Sequence, residues 1–293
     1  MLPFPDIAPE LFTIEIMGQE FALRWYALSY LVGFLLAYLV MRAFIGRPKA
    51  WPYGVEPMDR EQLDGFLTYL ILGVIVGGRM GYVFFYNADY YVQNPDEIIR
   101  VWDGGMSFHG GFLGVIITVI LYSRRNGILL WSSADLIALA APPGIFLGRI
   151  ANFINGELWG RPTDASWGVI FPGARAQNCP DIEGLCARHP SQLYEAGLEG
   201  IALFFFLLIA AALGALKRPG FVAGLFFLGY GAARYFVEFY RVPDPQFFSP
   251  ENPYGFAYQI GEFGVTMGQL LSLPMILIGL LLLLTRRRKG VMS

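Results

Sequence analysis

The segment that decides the fold reads ADLIALAAPPGIFLGRIANFINGELWG and covers residues 134–160. Most of it is apolar, and a helix needs about 20 such residues to cross a bilayer. Its last part places Arg149 and Asn152 at or inside the bilayer boundary. An arginine near the bilayer centre costs roughly 2.5–3.5 kcal/mol, so such a residue normally faces protein or water and marks a site. If the helix continues, Arg149, Asn152 and Gly156 share one face, which favours a binding site for an anionic group.

The rest of the chain has the same apolar character. It has 293 residues, of which 55% are hydrophobic and 15% are charged, whereas soluble domains average about 25% charged residues. Apolar runs of spanning length recur along the sequence, which predicts an all-α polytopic membrane protein with a single membrane domain. The net charge of −2 argues against nucleic acid as a partner. The acidic N-terminal stretch lacks a basic region, so we expect no secretory signal there.

Seven apolar runs are predicted as transmembrane helices. They are residues 21–42, 63–86, 108–122, 134–154, 191–216, 221–240 and 265–285. Lysine and arginine concentrate in the connections on one side, which the positive-inside rule assigns to the cytoplasm. These connections are residues 42–60, 124–125, 217–218 and 286–289. We therefore expect the N-terminus outside and the C-terminus in the cytoplasm.

The longest connection on the opposite side covers residues 155–190. It is rich in Pro, Gly, Asp and Trp, and we expect a small periplasmic cap between the fourth and fifth spans. Both cysteines of the chain, Cys179 and Cys186, lie in it. A disulfide between them is permitted outside the cytoplasm, but the sequence leaves this pairing open. A zinc site with His189 would lack one ligand.

Glycines at four-residue spacing mark several of the predicted helices. They are Gly73, Gly77 and Gly81, then Gly110 and Gly114, Gly220 and Gly224, and Gly264 and Gly268. Small residues at this spacing let the backbones of two membrane helices approach closely. We therefore expect these positions to lie at helix–helix contacts.

Two further apolar runs carry an arginine, Arg79 and Arg234. Spacings of four, four and three place four residues on one helix face, namely Tyr230, Arg234, Glu238 and Arg241. Each arginine could form a buried ion pair that fixes the register of its helix. Because acidic residues in these runs are few, the pattern instead predicts an excess of buried positive charge. Arginine forks suit phosphate oxygens, so a phosphate group is the expected ligand.

A glycine-rich motif, WDGGMSFHGG at residues 102–111, enters the third span. It contains His109, one of only two histidines, and a neutral imidazole can accept a proton near physiological pH. The alternative is a histidine that bonds only to its own loop, although glycine pairs on both sides favour the approach of a ligand. Ser107 and His109 do not indicate a serine hydrolase, because the Gly-x-Ser-x-Gly elbow is absent.

With these motifs assembled, the chain resembles the prolipoprotein diacylglyceryl transferases, bacterial membrane enzymes that start lipoprotein maturation. The similarity covers nearly the whole chain and lies in six stretches. They are RWY at 24–26, GGRMGYV at 77–83, VWDGGMSFHGG at 101–111, GRIANFINGELWG at 148–160, RHPSQLYE at 188–195 and GYGAAR at 229–234. The cap around the two cysteines departs from the family pattern.

The resemblance implies a reaction and a location. The diacylglyceryl group of phosphatidylglycerol moves to the thiol of the lipobox cysteine in the signal peptide region of a preprolipoprotein, which forms a thioether and releases glycerol phosphate. Phosphatidylglycerol is itself the activated donor, so no metal or soluble cofactor is expected. The family works in the bacterial cytoplasmic (inner) membrane, and we expect a monomer whose active site lies towards the periplasmic side.

The resemblance also assigns the functional residues to nine positions. They are Tyr26, His109, Arg149, Asn152, Glu157, Gly160, Tyr230, Arg234 and Glu238. Displacement at the glycerol carbon expels a phosphate, so Arg149 and Arg234 are expected to bind phosphatidylglycerol and stabilise the departing charge. We expect Asn152 and Glu157 to position Arg149.

For the proton acceptor of the attacking thiol, the sequence offers one candidate and two alternatives. A thiol with a pKa near 8.5 is mostly protonated at neutral pH, and His109 is the candidate base. Glu238 and Tyr230 are alternatives. The arginines would also lower the pKa of the substrate thiol, so a dedicated base is not strictly required.

Two other functional classes fit part of the same pattern. A secondary transporter or channel for an organic anion would also use buried arginines and broken helices, but the two halves of the chain show no repeat. A non-catalytic lipid-binding or scaffolding protein would need only a glycine-packed bundle. Substitution of Arg149 or His109 would be harmless in that case.

Overall fold

The computed structural model describes residues 1–16, 19–179, 182, 184–243, 245–261 and 263–286. Within these residues the chain is mostly helical, and a helix lies in each of the seven apolar runs. The helices are α1 (Trp25–Ile45), α2 (Arg60–Tyr86), α3 (Phe108–Arg125), α4 (Leu130–Ile154), α5 (Ser191–Ala212), α6 (Phe221–Val237) and α7 (Met267–Thr285). Of the basic run at 286–289, only Arg286 lies within the described residues.

Five of these helices are long and apolar enough to cross a membrane, namely α1, α2, α4, α5 and α7. Helix α6 is apolar but has only 17 residues, and α3 is not in this set. Large apolar side chains such as Leu31, Phe84 and Leu281 are exposed on the outside of the helices, as a lipid-facing surface requires. The chain is therefore a multi-pass membrane protein, and the count of seven spans stays a prediction.

Short strands correct the expectation of a purely helical fold. They are β1 (Leu2–Pro3), β2 (Glu10–Ile16), β3 (Gln19–Arg24), β4 (Val169–Ile170), β5 (Tyr258–Ile260) and β6 (Phe263–Val265). The pairs β2–β3 and β5–β6 are antiparallel, and β1 pairs with β4 in parallel. Because β3 extends to Arg24, the first helix begins at Trp25 and not at residue 21.

Two helices, α5 and α6, end before the residue predicted from the sequence. Helix α5 stops at Ala212, because Gly214 takes a left-handed conformation with φ +89° that a helix cannot continue through. Helix α6 stops at Val237, so Glu238 lies at its C-terminal end.

The larger apolar core of the described residues lies at one end of the bundle. It is built from the ends of α1, α3 and α5 and the beginnings of α2, α4 and α6. Its fully buried members include Met41, Leu63, Leu136, Leu139 and Leu207. Helix α4 is central and packs against α1, α5 and α6. The other ends of these helices are left to carry polar side chains.

The contact between α2 and α3 is made by glycines. A Cβ added at Gly81 would lie 2.7 Å from the Cα of Gly110, and one added at Gly77 would lie 2.9 Å from the Cα of Gly114. Such distances leave no room for any side chain. The four-residue spacing therefore predicted this packing correctly.

The connection between α4 and α5 packs against the N-terminal residues. Phe171 of this connection is buried against Phe4 and Phe153. A disulfide joins Cys179 to Cys186, which settles the pairing that the sequence left open. The guanidinium of Arg188 lies 4.3 Å over the ring of Trp159 and donates to the carbonyl oxygens of Ala176, Asn178 and Gly160.

Candidate active site

Three arginines meet one buried glutamate at the end of the bundle that the apolar core leaves free. Glu195, in the first turns of α5, is fully buried. Its carboxylate lies 3.2 Å from Nε of Arg149 on α4, 2.5 Å from Nη1 of Arg234 on α6 and 2.8 Å from Nη1 of Arg241, which follows α6. Glu195 therefore joins two helices and the segment after α6 at one point.

Two further glutamates complete the cluster. Glu199 lies 3.4 Å from Nη2 of Arg149. Glu238 lies 2.8 Å from Nη2 of Arg234 and 3.4 Å from Nε of Arg241. The hydroxyl of Thr266, the residue before α7, donates to Glu238 at 3.0 Å. We call these three arginines and three glutamates the Arg–Glu cluster.

The balance of charges corrects the sequence prediction. An excess of buried positive charge was expected, but the three guanidinium groups face three carboxylates. The prediction failed because it considered only the acidic residues on the arginines' own helices, whereas two of the three glutamates come from α5. Pairing of this kind is what makes buried charges tolerable.

The glutamates lie behind the arginines and do not enclose them. The side chains of Arg149 and Arg234 are 20% and 19% exposed, while those of Glu195 and Glu199 are fully buried. The accessible surface of the cluster is therefore formed mainly by arginine side chains. Such a surface offers hydrogen-bond donors to an anion that approaches from outside.

A local departure from α-helical geometry brings the two glutamates of α5 to the arginines. A π-helical stretch, Ala196–Ala202, begins directly after Glu195, and such insertions are frequent at functional sites. A Cβ added at Gly200 within this stretch would lie 2.9 Å from the Cα of Phe146. The close approach of α5 to α4 at this glycine lets Glu199 reach Arg149.

The end of α4 differs from the predicted continuous face. The helix ends at Ile154, and Gly156 has a left-handed φ of +63°, so it does not share a face with Arg149. Asn152 donates to Oε1 of Glu157 at 2.8 Å. Gln192 of α5 donates to the backbone oxygen of Glu157. Asn152 and Glu157 thus fix the turn after α4 and form no hydrogen bond with Arg149 among the described residues.

Gly160 pairs with one of the arginines of the cluster. It forms an isolated β-bridge with Arg241, and its N–H donates to the carbonyl of His189 at 2.8 Å. An added Cβ would lie 2.8 Å from the Cβ of His189. Burial lowers the pKa of His189, and Nδ1 of its ring lies 3.0 Å from the hydroxyl of Tyr194. Gly160 therefore serves close packing beside Arg241.

The three remaining predicted residues are not equally close to the cluster. Tyr230 of α6 lies next to Arg149 and stacks on Phe226. His109 is exposed in the first turn of α3, and Tyr26 is exposed in the first turn of α1. Neither forms a hydrogen bond or ion pair with the Arg–Glu cluster in the part of the chain that the structure describes.

Arg79 has a different role from the other intramembrane arginines. It is buried, and its guanidinium donates to the backbone oxygens of Glu97, Ile98, Gly104 and Gly105. It also lies 5.1 Å over the ring of Tyr91. Arg79 therefore holds the loop that leads into α3 and is not a site for an anion.

Sequence reasoning missed the glutamates of α5 and one glycine. Glu195 was considered only as the last residue of the stretch RHPSQLYE, and Glu199 was not considered. Their four-residue spacing within an apolar run was the signal, because it places both carboxylates on one face. A Cβ at Gly268 of α7 would lie 2.5 Å from either carboxylate oxygen of Glu238, so this glycine makes room for that glutamate.

Comparison with known proteins gives a consistent result. The family model of the prolipoprotein diacylglyceryl transferases matches residues 12–285. The phosphatidylglycerol–prolipoprotein diacylglyceryl transferases of Cereibacter sphaeroides and Roseobacter denitrificans are each 57% identical over 288 residues, with 98% of both chains covered. That of Rhizobium leguminosarum is 47% identical over 297 residues, which covers 100% of this chain and 96% of its own.

Proposed function

The chain belongs to the prolipoprotein diacylglyceryl transferase family, and we propose that the Arg–Glu cluster is its catalytic site. The enzyme transfers the diacylglyceryl group of phosphatidylglycerol to the thiol of the lipobox cysteine of preprolipoproteins. The carbon–oxygen bond to the phosphate breaks, a carbon–sulfur bond forms, and glycerol phosphate leaves. This is the first step of lipoprotein maturation.

The single observation that carries the proposed site is that the side chains of Arg149 and Arg234 are partly exposed, while the carboxylates of Glu195 and Glu199 beside them are fully buried. The phosphate of phosphatidylglycerol is an anion before the reaction and becomes the leaving group during it. Donors fixed at the place where charge develops lower the barrier, and loss of one such donor costs about 2.7–4 kcal/mol, or a hundred- to a thousandfold in rate. Glu195 supports this role because it holds both guanidinium groups from behind in one orientation.

The paired charges also explain why the site is stable in the absence of substrate. Three uncompensated arginines in a membrane would each be costly, whereas the neutral cluster is not. When the phosphate binds at the exposed side of the arginines, no carboxylate has to leave. In this proposal the glutamates orient the arginines, and the exposed N–H groups bind the substrate.

His109 remains the candidate base for the thiol. The carboxylate of Glu238 already contacts Arg234 and Arg241 and accepts from Thr266, so its oxygens are occupied by these partners. His109 is exposed at the start of α3, where the side chain can approach a substrate. Its place outside the Arg–Glu cluster suits a residue that acts on the thiol and not on the phosphate.

We further propose seven spans, with α3 and α6 added to the five helices of spanning character. The N-terminus and the cap of residues 155–190 then lie on the periplasmic side of the inner membrane, and the C-terminus lies in the cytoplasm. The basic residues between α1 and α2, after α3 and between α5 and α6 support this orientation. The active site faces the periplasm, and the enzyme acts as a monomer.

The proposed site is tested with purified full-length protein, labelled phosphatidylglycerol and a lipobox peptide. The Arg149→Lys variant should lose a hundredfold or more in the rate of thioether formation, because an ammonium cannot present a planar fork. The Arg124→Lys variant, in an exposed position at the end of α3, is the matched control and should keep wild-type activity. Wild-type turnover by the folded Arg149→Lys variant would refute the proposed site.

A further inference from the structure

Two adjoining cavities lie at the end of the bundle opposite the Arg–Glu cluster. The first has a volume of about 890 Å³ and lies between the ends of α1 and α5, where Leu39 and Leu208 face it. The second has a volume of about 1030 Å³ and lies against Trp131 at the start of α4. Lys49 and Lys217 line both cavities, so these two lysines form the boundary between them.

The charge of this double cavity has one sign only. Its charged lining residues are Arg47, Lys49, Lys217, Arg218 and Arg286. None of the five forms an ion pair with a carboxylate of the described residues, in contrast to the arginines of the Arg–Glu cluster. Cations clustered on one surface attract anions.

Aromatic rings hold the three arginines of the double cavity in place. The guanidinium of Arg286 lies 4.3 Å over the ring of Trp131, and that of Arg218 lies 5.0 Å over Phe221. Arg47 lies 5.4 Å over Phe44, its neighbour on α1. A guanidinium stacked in this way keeps its N–H groups free at the edge. The cations are therefore already ordered for a ligand.

The apolar part of the first cavity identifies the class of ligand. Leu36, Leu39 and Val40 of α1 lie opposite Leu208 and Ala212 of α5. From Leu36 to Phe44 this wall follows α1 for about 12 Å, parallel to the lipid tails. A free phosphate or a nucleotide would make no use of such a wall, whereas an acyl chain would fill it.

We propose that the double cavity is a lipid site, which holds the phosphate of one anionic phospholipid between Lys49 and Lys217 and one of its acyl chains between α1 and α5. Basic pockets between membrane helices suit such headgroups. Along α5, Glu195 and Ala212 are separated by about 25 Å, so this lipid does not reach the Arg–Glu cluster. The inference is independent of the proposed catalytic site.

Native mass spectrometry of the full-length protein tests the site. The probes are dioleoyl phosphatidic acid and dioleoyl phosphatidylcholine, which have the same acyl chains. Wild-type protein should retain phosphatidic acid in preference to phosphatidylcholine. The Lys49→Gln/Lys217→Gln variant should lose one bound phosphatidic acid and bind it at least tenfold more weakly. The Arg124→Gln/Arg125→Gln variant removes the same charge from the exposed end of α3 and should bind like the wild type.

Further measurements separate this site from a general effect of charge or folding. The Lys49→Arg/Lys217→Arg variant keeps the cations and should restore retention. Phosphatidic acid should raise the melting temperature of the wild type and of this variant, but not that of Lys49→Gln/Lys217→Gln. The proposal is overturned if both double variants at these lysines retain phosphatidic acid equally. It is also overturned if millimolar inorganic phosphate displaces the lipid, because the cavity would then be a site for a free anion.

Discussion

Replacement of Glu195 by glutamine tests how the Arg–Glu cluster is held together. Glutamine keeps the shape of the side chain and one acceptor oxygen, so the change removes a charge and little else. Glu195 contacts three guanidinium groups at 2.5–3.2 Å and is fully buried. Loss of one partner from a buried ion pair costs about 3–5 kcal/mol, because the other charge stays buried and uncompensated. We expect Glu195→Gln to destabilise the protein by an amount in this range.

Glu199 offers a matched control for this substitution. It is equally buried and lies on the same helix face, but it contacts only Arg149, at 3.4 Å. The same change of residue at position 199 should therefore cost less, about 1–3 kcal/mol. Thermal unfolding of both purified variants, measured in the same detergent without phosphatidylglycerol, gives the comparison.

An added anion should distinguish lost charge from lost packing. In Glu195→Gln three arginines face two carboxylates, so sulfate should bind near the vacant charge and stabilise the folded state by mass action. We expect sulfate to raise the melting temperature of Glu195→Gln more than that of the wild type, at equal ionic strength set with chloride. A merely mispacked variant would respond to both salts alike.

Glu195→Gln should lower both KM and kcat, for two different reasons. The extra positive charge should lower KM for phosphatidylglycerol, while the two arginines lose the carboxylate that holds them in register. A displacement of about 1 Å costs on the order of a hundredfold in rate, so kcat should fall by about that factor. The reasoning is refuted if Glu195→Gln is no less stable than Glu199→Gln and keeps its kcat.

The other predictions concern the base, the disulfide and the close-packed glycine. His109→Gln should slow thioether formation and change the pH dependence of its rate, because the variant lacks the proposed base; a pH profile like that of the wild type would assign the proton transfer elsewhere. Cys179→Ser/Cys186→Ser should leave diacylglyceryl transfer nearly intact in the peptide assay. It should lower the free energy of unfolding by about 2–3 kcal/mol, which is the value for the closure of a short loop. Loss of turnover in a folded variant would contradict this structural role. Gly160→Ala should destabilise the protein by about 1–3 kcal/mol through overpacking and should reduce kcat, because the added Cβ would displace His189 and the segment that contains Arg241. An unchanged melting temperature and unchanged turnover would show that an alanine fits at position 160.

Composition and periodicity were sufficient for the helices. Apolar runs predicted seven helices, and the four-residue spacing of glycines predicted the close contact of Gly77 and Gly81 with α3. The hairpin of β2 and β3 that precedes Trp25 was missed, although its first strand, ELFTIEI, is rich in the β-branched and aromatic residues that favour strands. The end of the second strand, β3 (Gln19–Arg24), was attributed to the first membrane span, which was predicted to begin at residue 21.

The sequence predicted the arginines of the candidate site but not the two glutamates of α5 that pair with them. The spacing of Tyr230, Arg234 and Glu238 follows from one helix and could be read directly. The pairing of Arg149 with Glu195 and Glu199 could not, because it joins two helices separated by the whole cap of residues 155–190. Sequence spacing reports neighbours on one helix, whereas contacts between helices depend on packing that a single sequence does not display.

One buried carboxylate explains why the arginines of two helices lie at the same level. Asp135, near the start of α4, is fully buried and accepts from the N–H groups of Gly220 and Ala223 at 2.7 Å, so it caps the N-terminus of α6 from another helix. Arg149 lies 14 residues after Asp135, and Arg234 lies 14 residues after Gly220. At 1.5 Å per residue both arginines are about 21 Å from this point. Glu195 can contact both of them because Asp135 fixes the register of α4 and α6 at their opposite ends.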